Sequence, residues 1–365
     1  MTNHEFYMEL ALKNAQAMKG QTDPNPLVGA VIVNENRIVG VGAHLKAGEA
    51  HAEIHAIRMA GEKAKGGTIY VTLEPCSHHG RTGPCAVAIV EAGIQKVVIA
   101  ALDPNPLVSG SGVKILQDAG IEVEVGILEE ESRKMNEVFN KFIVKKQPFV
   151  TLKSGITLDG KIASSSNDSK WITSAEARHD VHILRNENMA ILVGANTVIE
   201  DDPELTARIP NGRNPIRIIM DSTLRIPLDS KVVTDHLAET WIFTTQKYDA
   251  EKKIQLEIAG LKVFVTNGSE RVNPTEVLEI LGEQLVSSVL VEGGGGINAA
   301  FLENKVVDKV ALYIAPKLIG GQHAPSFFGG TGFDMMADAL ELDDVSIVKI
   351  GKDYKFTGYP VYPER

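Results

Sequence analysis

HAEIHAIRMAGEKAKGGTIYVTLEPCSHHGRTGPC, residues 51–85, runs from a helix through a strand to a second helix start, and it carries both cysteines of the chain. His51 opens a stretch to Ala64 with helical spacing of apolar residues, TIYVTL (68–73) has the β-branched composition of a strand, and Pro84 suits the first turn of a helix reaching about Ala92. Working outward, LVGAVIV (27–33) and RIVGVG (37–42) flank the turn-rich NEN and predict a hairpin. KVVIAAL (96–102) predicts another strand, and the segment after Gly126 a charged amphipathic helix ending near Phe142. This alternation predicts a layered α/β domain. VKKQP (144–148) interrupts the pattern and FVTLK begins a new strand at Phe149, which places a domain boundary between 1–145 and 146–365. In the second half NMAILVG (188–194), PIRIIMD (215–221), TWIFTT (240–245), LKVFV (261–265) and SSVLVEGGGG (287–296) read as strands of a mostly parallel sheet.

The bulk properties agree with two globular domains. A chain of 365 residues exceeds one ordinary core, and 44% hydrophobic with 23% charged residues supplies enough apolar surface for two. The first twenty residues lack the apolar core of a signal peptide, and no apolar run approaches a membrane span. A cytoplasmic protein is therefore expected, in which two cysteines serve as metal ligands or a catalytic pair rather than as a disulfide. A net charge of −10 argues against nucleic acid as a partner.

His51, Cys76, Cys85 and Glu53 form a chemical set. Zinc accepts one imidazole and two thiolates in tetrahedral geometry, and a catalytic site leaves the fourth position for water. Each cysteine follows a proline, so at least Cys85 is expected near a helix N-terminus that favours its thiolate. Glu53, two residues beyond the histidine, suits a general acid/base that moves the proton of the water. Each residue alone is equally consistent with an ordinary core position; the combination favours a metal. The pattern is similar to the H-x-E and P-C-x-x-C signature of zinc deaminases, but eight residues, SHHGRTGP, separate the cysteines here. A zinc peptidase is excluded, because H-A-E-I-H puts its glutamate one place too late for H-E-x-x-H. His55 is then a packing or supporting residue.

Four polar clusters surround this motif: DPNPLVGA (23–30), GAHLKAGEAHAE (42–53), CSHHGRTGPC (76–85) and ALDPNPLVSGSG (101–112). With them the chain resembles, over nearly its whole length, the bifunctional deaminase–reductase family of riboflavin biosynthesis, of which the long insertion between the cysteines is a trait. The resemblance implies a cytidine-deaminase-like three-layer domain that replaces the 2-amino group of 2,5-diamino-6-ribosylamino-4(3H)-pyrimidinone 5′-phosphate with oxygen. It implies zinc on His51, Cys76 and Cys85, Glu53 as proton carrier, and Asn25, His44, Arg81, Asp103 and Asn105 around the substrate. These types fit: amides and carboxylates read a pyrimidine edge, and a guanidinium takes a phosphate. Asn25 and Asn105 stand beside prolines and fit turn geometry equally well.

The second half is less explicit. LVEGGGGINAAFLENK (290–305) is a strand, a glutamate, four glycines and a helix, suited to presenting N–H groups to a phosphate, although a plain strand-to-helix turn explains most of the glycines. TLKSGITLDGKIASSSNDSKWITSAEAR (151–178) is either a functional loop or a surface connection. The resemblance implies a dihydrofolate-reductase-like domain that uses NADPH to reduce the ribosyl group to ribityl; a preference over NADH is expected because the glycine loop lacks a following acidic residue that would grip a free ribose hydroxyl and repel a 2′-phosphate. The matched blocks are LKSGITLDGKIA, SKWITS, ILVGANTVIEDDPELTAR and VEGGGGINAAFL. On that basis Gly155, Trp171, Thr197, Asp201 and the loop Gly294, Gly295, Gly296, Ile297, Asn298, Ala299 and Ala300 hold the cofactor. Ser169, Arg185, Leu205, Arg208 and Glu292 hold the substrate, with Arg185 and Arg208 either phosphate clamps or surface charges. Lys153 either polarises the sugar carbon that accepts hydride or is an exposed strand-end lysine. The expected product is 5-amino-6-(5-phosphoribitylamino)uracil, made by a homo-oligomer, dimer or tetramer, with no membrane partner. The rivals are a lone deaminase with a non-catalytic C-terminal binding module, and a deaminase of RNA bases. The latter would need a basic groove with exposed aromatics, which 5% aromatic content does not favour.

Overall fold

The computed structural model describes residues 3–77, 83–106 and 108–363. The chain divides into two compact units, Met1–Lys146 and Gln147–Arg365. In the first, β1 (Gly29–Asn34), β2 (Arg37–Ala43), β3 (Thr68–Leu73), β4 (Lys96–Ala101) and β5 (Glu122–Val125) form a sheet of order β2-β1-β3-β4-β5. The β1–β2 hairpin is antiparallel and β3, β4 and β5 run parallel. Helices α1 (Asn3–Gln16), α2 (Ala52–Ala60), α3 (Cys85–Glu91), α4 (Ser111–Asp118), α5 (Glu129–Met135) and α6 (Glu137–Lys145) complete the unit.

Alternation along the strands assigns the faces. Ala30, Ile32, Ile69, Val71, Val97 and Ile99 pack with Ala52, Ala56, Ala86, Ile89 and Leu116 from α2, α3 and α4. Val31, Val33, Tyr70, Val98 and Ala100 pack on the opposite face with Met8 and Ala11 of α1. The result is three layers, and both faces of the central strands β1, β3 and β4 are dry. Ile32 is fully buried, and its truncation to alanine would cost about 2–5 kcal/mol. Helix α2 lies unusually close to β2: a Cβ built at Gly40 would stand 2.2 Å from the Ala56 carbonyl oxygen, and one at Gly42 2.1 Å from that of Ala52. Any side chain there would lift the helix that carries His51 and Glu53.

The single charged helix expected after Gly126 is two helices, α5 and α6, broken at Asn136. This residue is buried, and its side-chain amide accepts from Leu27 N (2.8 Å) and donates to Leu27 O (3.0 Å), so the break is set by a partner 109 residues away.

The second unit is built on β6 (Phe149–Thr157), β7 (Ala190–Gly194), β8 (Ile216–Met220), β9 (Thr240–Thr244), β10 (Lys262–Val265), β11 (Ser288–Val291), β12 (Lys309–Ala315), β13 (Glu341–Ile350) and β14 (Asp353–Val361). The strand order is β10-β9-β8-β7-β11-β6-β12-β14-β13, parallel from β10 to β12 and closed by the antiparallel β13–β14 hairpin. Its helices are α7 (Ala175–Glu187), α8 (Ala195–Asp201), α9 (Lys231–Thr234), α10 (Ala250–Ile258), α11 (Pro274–Glu283) and α12 (Gly295–Glu303). One face buries Val150, Leu152, Leu192, Val289 and Val291 against Leu278, Leu281 and Phe301; the other buries Ile191, Ile219 and Ile242 against Val198, Val232 and Leu256. Ser174 caps α7 by accepting from Ala177 N, which fixes the start of the helix that carries Arg185.

Candidate active sites

In the first unit three donors meet at the ends of elements. His51 is the N-cap of α2 and makes no side-chain cap bond, Cys85 is the first residue of α3 behind Pro84, and Cys76 follows the end of β3. His51 Nδ1 lies 3.6 Å from Cys76 Sγ and 3.3 Å from Cys85 Sγ, and the three donor atoms are all within 4.8 Å of one another. Cys85 N–H donates to Cys76 Sγ at 3.3 Å. Hydrogen bonds from Cys85 and His51 hold the Cys76 thiol below its ordinary value, while the bond to Cys76 and burial push the Cys85 thiol up. One imidazole and two sulfurs converging in this way fit zinc with one position left open.

Glu53 sits in the first turn of α2 and is 3% exposed. Its Oε2 is buried with no hydrogen-bond partner among the described residues, and burial pushes its carboxyl up to about 7. A buried orphan acceptor beside the donor cluster suits a group that exchanges protons with a ligand. His44 is as deeply buried; its Nε2 accepts from Asn25 Nδ2 (3.1 Å) and its Nδ1 donates to Ala50 O (3.3 Å), which defines a neutral tautomer. Its ring stands edge-on to His51 at 5.3 Å, so the fold brings Asn25 and His44 to the donor cluster. Asp103 and Asn105 lie in the loop after β4, where Asp103 Oδ1 accepts from Asn105 N (2.8 Å). Arg81 lies outside the described residues. His55 is not among the converging donors; its Nε2 is buried with no hydrogen-bond partner among the described residues.

In the second unit a buried charge cluster forms where β11 runs beside β6, with Val291 opposite Leu152. This register sets Glu292 beside Lys153, 3.4 Å from its Nζ, and Arg185 of α7 grips the same carboxylate at 2.7 and 2.9 Å. Burial works to raise the Glu292 carboxyl, but the charges of Arg185 and Lys153 outweigh it and hold it at about 2. Lys153 is therefore no exposed strand-end residue; its side chain is 16% exposed. Arg185 also donates to Thr206 O (3.1 Å), and His182 Nδ1 lies 3.2 Å from the same oxygen and 3.4 Å from Arg208 N. Leu205, at φ 53, belongs to this docked segment, whereas the Arg208 guanidinium pairs outward with Glu204. Burial, then the charges of Arg185 and Arg208, lower His182 to about 4.

Gly155 shares the Lys153 face of β6, and a Cβ there would meet Thr173 at 3.4 Å. Trp171 is 62% exposed with the Arg178 guanidinium 4.4 Å over its ring, and it borders a cavity of about 430 Å³ with Thr173, Lys317 and Lys352. Ser169 is half-buried in the same connection. Thr197 and Asp201 lie on α8, half-buried and exposed respectively. The stretch expected as a loop, Gly294–Ala300, is helix from Gly295 onward. Asn298 and Ala299 are buried, Asn298 Nδ2 donating to Phe327 O, and a Cβ at Gly295 would strike Ser326 O at 2.7 Å. Gly294 and Gly296, by contrast, have nothing within 4 Å of a built Cβ. An open helix N-terminus at the carboxyl end of a parallel sheet fits the pyrophosphate of a dinucleotide.

Two protein families match the chain: the cytidine and deoxycytidylate deaminase zinc-binding region over residues 1–101, and the RibD C-terminal domain over 148–356. Riboflavin biosynthesis protein RibD of Bacillus amyloliquefaciens is 49% identical over 357 residues, covering 98% of this chain and 96% of the relative. The chain belongs to the RibD family. Among solved structures it is similar to Acinetobacter baumannii RibD, 38% identical with a TM-score of 0.88, covering 98% of this chain and 99% of that one. It is also similar to a Thermotoga maritima diaminohydroxyphosphoribosylaminopyrimidine deaminase/5-amino-6-(5-phosphoribosylamino)uracil reductase, 37% identical with a TM-score of 0.86 and the same coverage. The family makes this chain a bifunctional enzyme of riboflavin biosynthesis, a cytidine-deaminase-like domain joined to a dihydrofolate-reductase-like one, with zinc and NADPH as cofactors. The lone-deaminase alternative falls with the match of the reductase domain. No helix among the described residues is long and apolar enough to cross a membrane.

Sequence reading gave no role to Glu74 or His182. Glu74 stood within E-P-C beside a ligand, and His182 is three residues from Arg185 on one helix face, which were the available signals.

Proposed function

We propose that the unit up to about Lys145 deaminates 2,5-diamino-6-ribosylamino-4(3H)-pyrimidinone 5′-phosphate, and that the unit from Lys146 onward reduces the ribosyl side chain of the product to give 5-amino-6-(5-phosphoribitylamino)uracil. The observation that carries the first half is the convergence of His51, Cys76 and Cys85 within 4.8 Å, with the orphan Oε2 of Glu53 in the first turn of the helix that His51 caps. His51, Cys76 and Cys85 hold the zinc, which when bound supplies the Lewis acid that makes water nucleophilic at neutral pH. Glu53 takes a proton from the attacking water and returns it to the departing amine, so C2–NH₂ and water become C2=O and ammonia. Asn25, kept in place by His44, and the Asp103–Asn105 turn orient the pyrimidine, and the guanidinium of Arg81 is assigned to the phosphate by its chemistry alone.

In the second unit the Glu292–Arg185–Lys153 cluster supports the reading. NADPH, held by Gly155, Trp171, Thr197, Asp201 and the Gly294–Ala300 helix start, supplies hydride when bound. Lys153 holds its Nζ beside the sugar carbon, Arg185 and Lys153 keep Glu292 ionised as an acceptor for sugar hydroxyls, and Ser169, Leu205 and Arg208 complete the substrate side. The test is incubation with the diamino substrate, with and without NADPH, followed by mass analysis. Deaminated product without NADPH, and ribityl product only with it, is the expected outcome; no change in either case would refute the assignment.

A homo-oligomer, dimer or tetramer, in a reducing cytoplasm belongs to the same proposal. The ten-residue edge strand β13 exposes Val345, Ile347 and Val348, an edge that a second copy would cover. Light scattering on the full chain would refute this by giving the monomer mass.

A further inference from the structure

We propose that Glu74 is a positioning residue of the deaminase, whose buried carboxylate fastens the segment that carries Asp103 and Asn105 to the segment that carries Cys76. Glu74 follows β3 directly and is 6% exposed. Its Oε2 accepts from Asp103 N (3.3 Å) and Gly110 N (2.9 Å), and its Oε1 from Gly112 N (2.9 Å) and Val113 N (3.3 Å). Four backbone N–H groups thus converge on one carboxylate. Two of them belong to the first turn of α4, whose N-cap, Gly110, has no side chain to offer. Glu74 therefore caps a helix in which it has no place, and the remaining donors tie down both ends of the loop after β4.

Two further contacts lock the same pair of segments. A Cβ at Gly112 would stand 2.0 Å from Pro75 O, so the start of α4 rests on the backbone between Glu74 and Cys76. Ser77 Oγ, one residue after Cys76, and Ser111 Oγ, one residue before Gly112, are 2.7 Å apart. The zinc-ligand segment and the substrate loop are built as one body. A carboxylate is needed for this because four donors require both oxygens as acceptors; a carboxamide offers one oxygen and turns its own N–H groups toward the other pair. Without Glu74 the loop spends less time in the conformation that receives substrate, and the apparent affinity falls by the fraction lost.

The inference rests on the reading that this unit deaminates a pyrimidine nucleotide contacted by Asp103 and Asn105, and the test separates the two. Full-length, zinc-loaded Glu74→Gln is compared with wild type for metal content, amide hydrogen exchange, deaminase kcat and KM, and NADPH oxidation with the deaminated intermediate. Zinc content and the reductase are expected to stay unchanged. The deaminase KM should rise about tenfold or more with kcat little altered, the factor expected when hydrogen bonds to a charged acceptor are lost. The amides of Asp103, Gly110, Gly112 and Val113 should exchange faster by a similar factor. Unchanged KM and unchanged exchange would overturn the proposal, as would a fall in kcat alone, which would place Glu74 at the chemistry. A wild-type protein without deaminase activity would overturn the underlying reading, and the exchange data would still decide whether Glu74 holds the loop. If the variant does not fold, the wild type suffices: rapid exchange of those four amides overturns the proposal.

Discussion

Glu292→Gln keeps the shape of the side chain and removes its charge from the centre of the second site. In the native protein the carboxylate is 9% exposed, gripped by Arg185 at 2.7 and 2.9 Å and approached by Lys153 at 3.4 Å. Burial alone would raise its proton affinity, yet the two cations draw the carboxyl from 4.5 down to about 2. A depression of that size is worth about 3 kcal/mol of stability at neutral pH. Because the folded value is depressed, this contribution is complete above the unfolded value near 4.5 and drains away as the pH falls toward about 2. An independent route reaches the same size: removing one partner of a buried pair strands the other charge, at about 3–5 kcal/mol. The assay is a urea titration of the full chain followed by tryptophan fluorescence. Both tryptophans, Trp171 and the buried Trp241, lie in the second unit, so the signal reads that unit alone. The variant should unfold about 1 M urea or more earlier at pH 7. The gap to wild type should narrow as the pH is lowered below 4.5. A gap under about 1 kcal/mol at pH 7, or one that stays constant into acid, would refute the view that Arg185 and Lys153 hold an ionised Glu292.

Cys76→Ser or Cys85→Ser should abolish both bound zinc and deamination, read by elemental analysis and ammonia release; full deaminase activity without metal would contradict the assignment. Glu53→Ala should keep its zinc and lose about 10²–10⁴-fold in deamination while oxidising NADPH normally with the deaminated intermediate. Lys153→Ala should show the reverse, and loss of both reactions from Glu53→Ala in a folded, zinc-bound protein would require one shared site. Gly296→Leu should raise KM for NADPH with unfolding by urea unchanged, because that position is open, whereas Gly295→Leu should also lower stability through its contact with Ser326.

The parts that could be read directly from the sequence are those where chemistry or periodicity restricts the residue type. Zinc demands imidazole and thiolate, so His51, Cys76 and Cys85 stood out before any fold was known, and Glu53 stood out by its offset from them. The central strands β1, β3 and β4 were legible because each alternates between two dry faces, as in TIYVTL, whereas the edge strand β5, EVEV, buries no residue and was not read. Strand β13 was not, since nearly all of ELDDVSIVKI is exposed and no pattern of burial marks it. The split between α5 and α6 was hidden for another reason: it depends on Leu27, whose contribution is a backbone N–H and C=O that every residue except proline possesses.

The same reasoning explains why the second site was harder to read than the first. Arg185 and Glu292 are 107 residues apart, and charged residues are common in any sequence; only the register of β11 on β6 and the cap of α7 select this pair. The four glycines of 293–296 make the point within a single motif. They are identical letters, yet a side chain at Gly293 would collide with Ile297, one at Gly295 would collide with Ser326, and those at Gly294 and Gly296 would meet open space. Two of these glycines therefore answer to packing and two leave room for a ligand. Glu74 belongs with the packing pair in origin and with the ligand pair in effect: its partners are backbone N–H groups 29 to 39 residues away, and what they fix is the loop on which recognition of the pyrimidine depends.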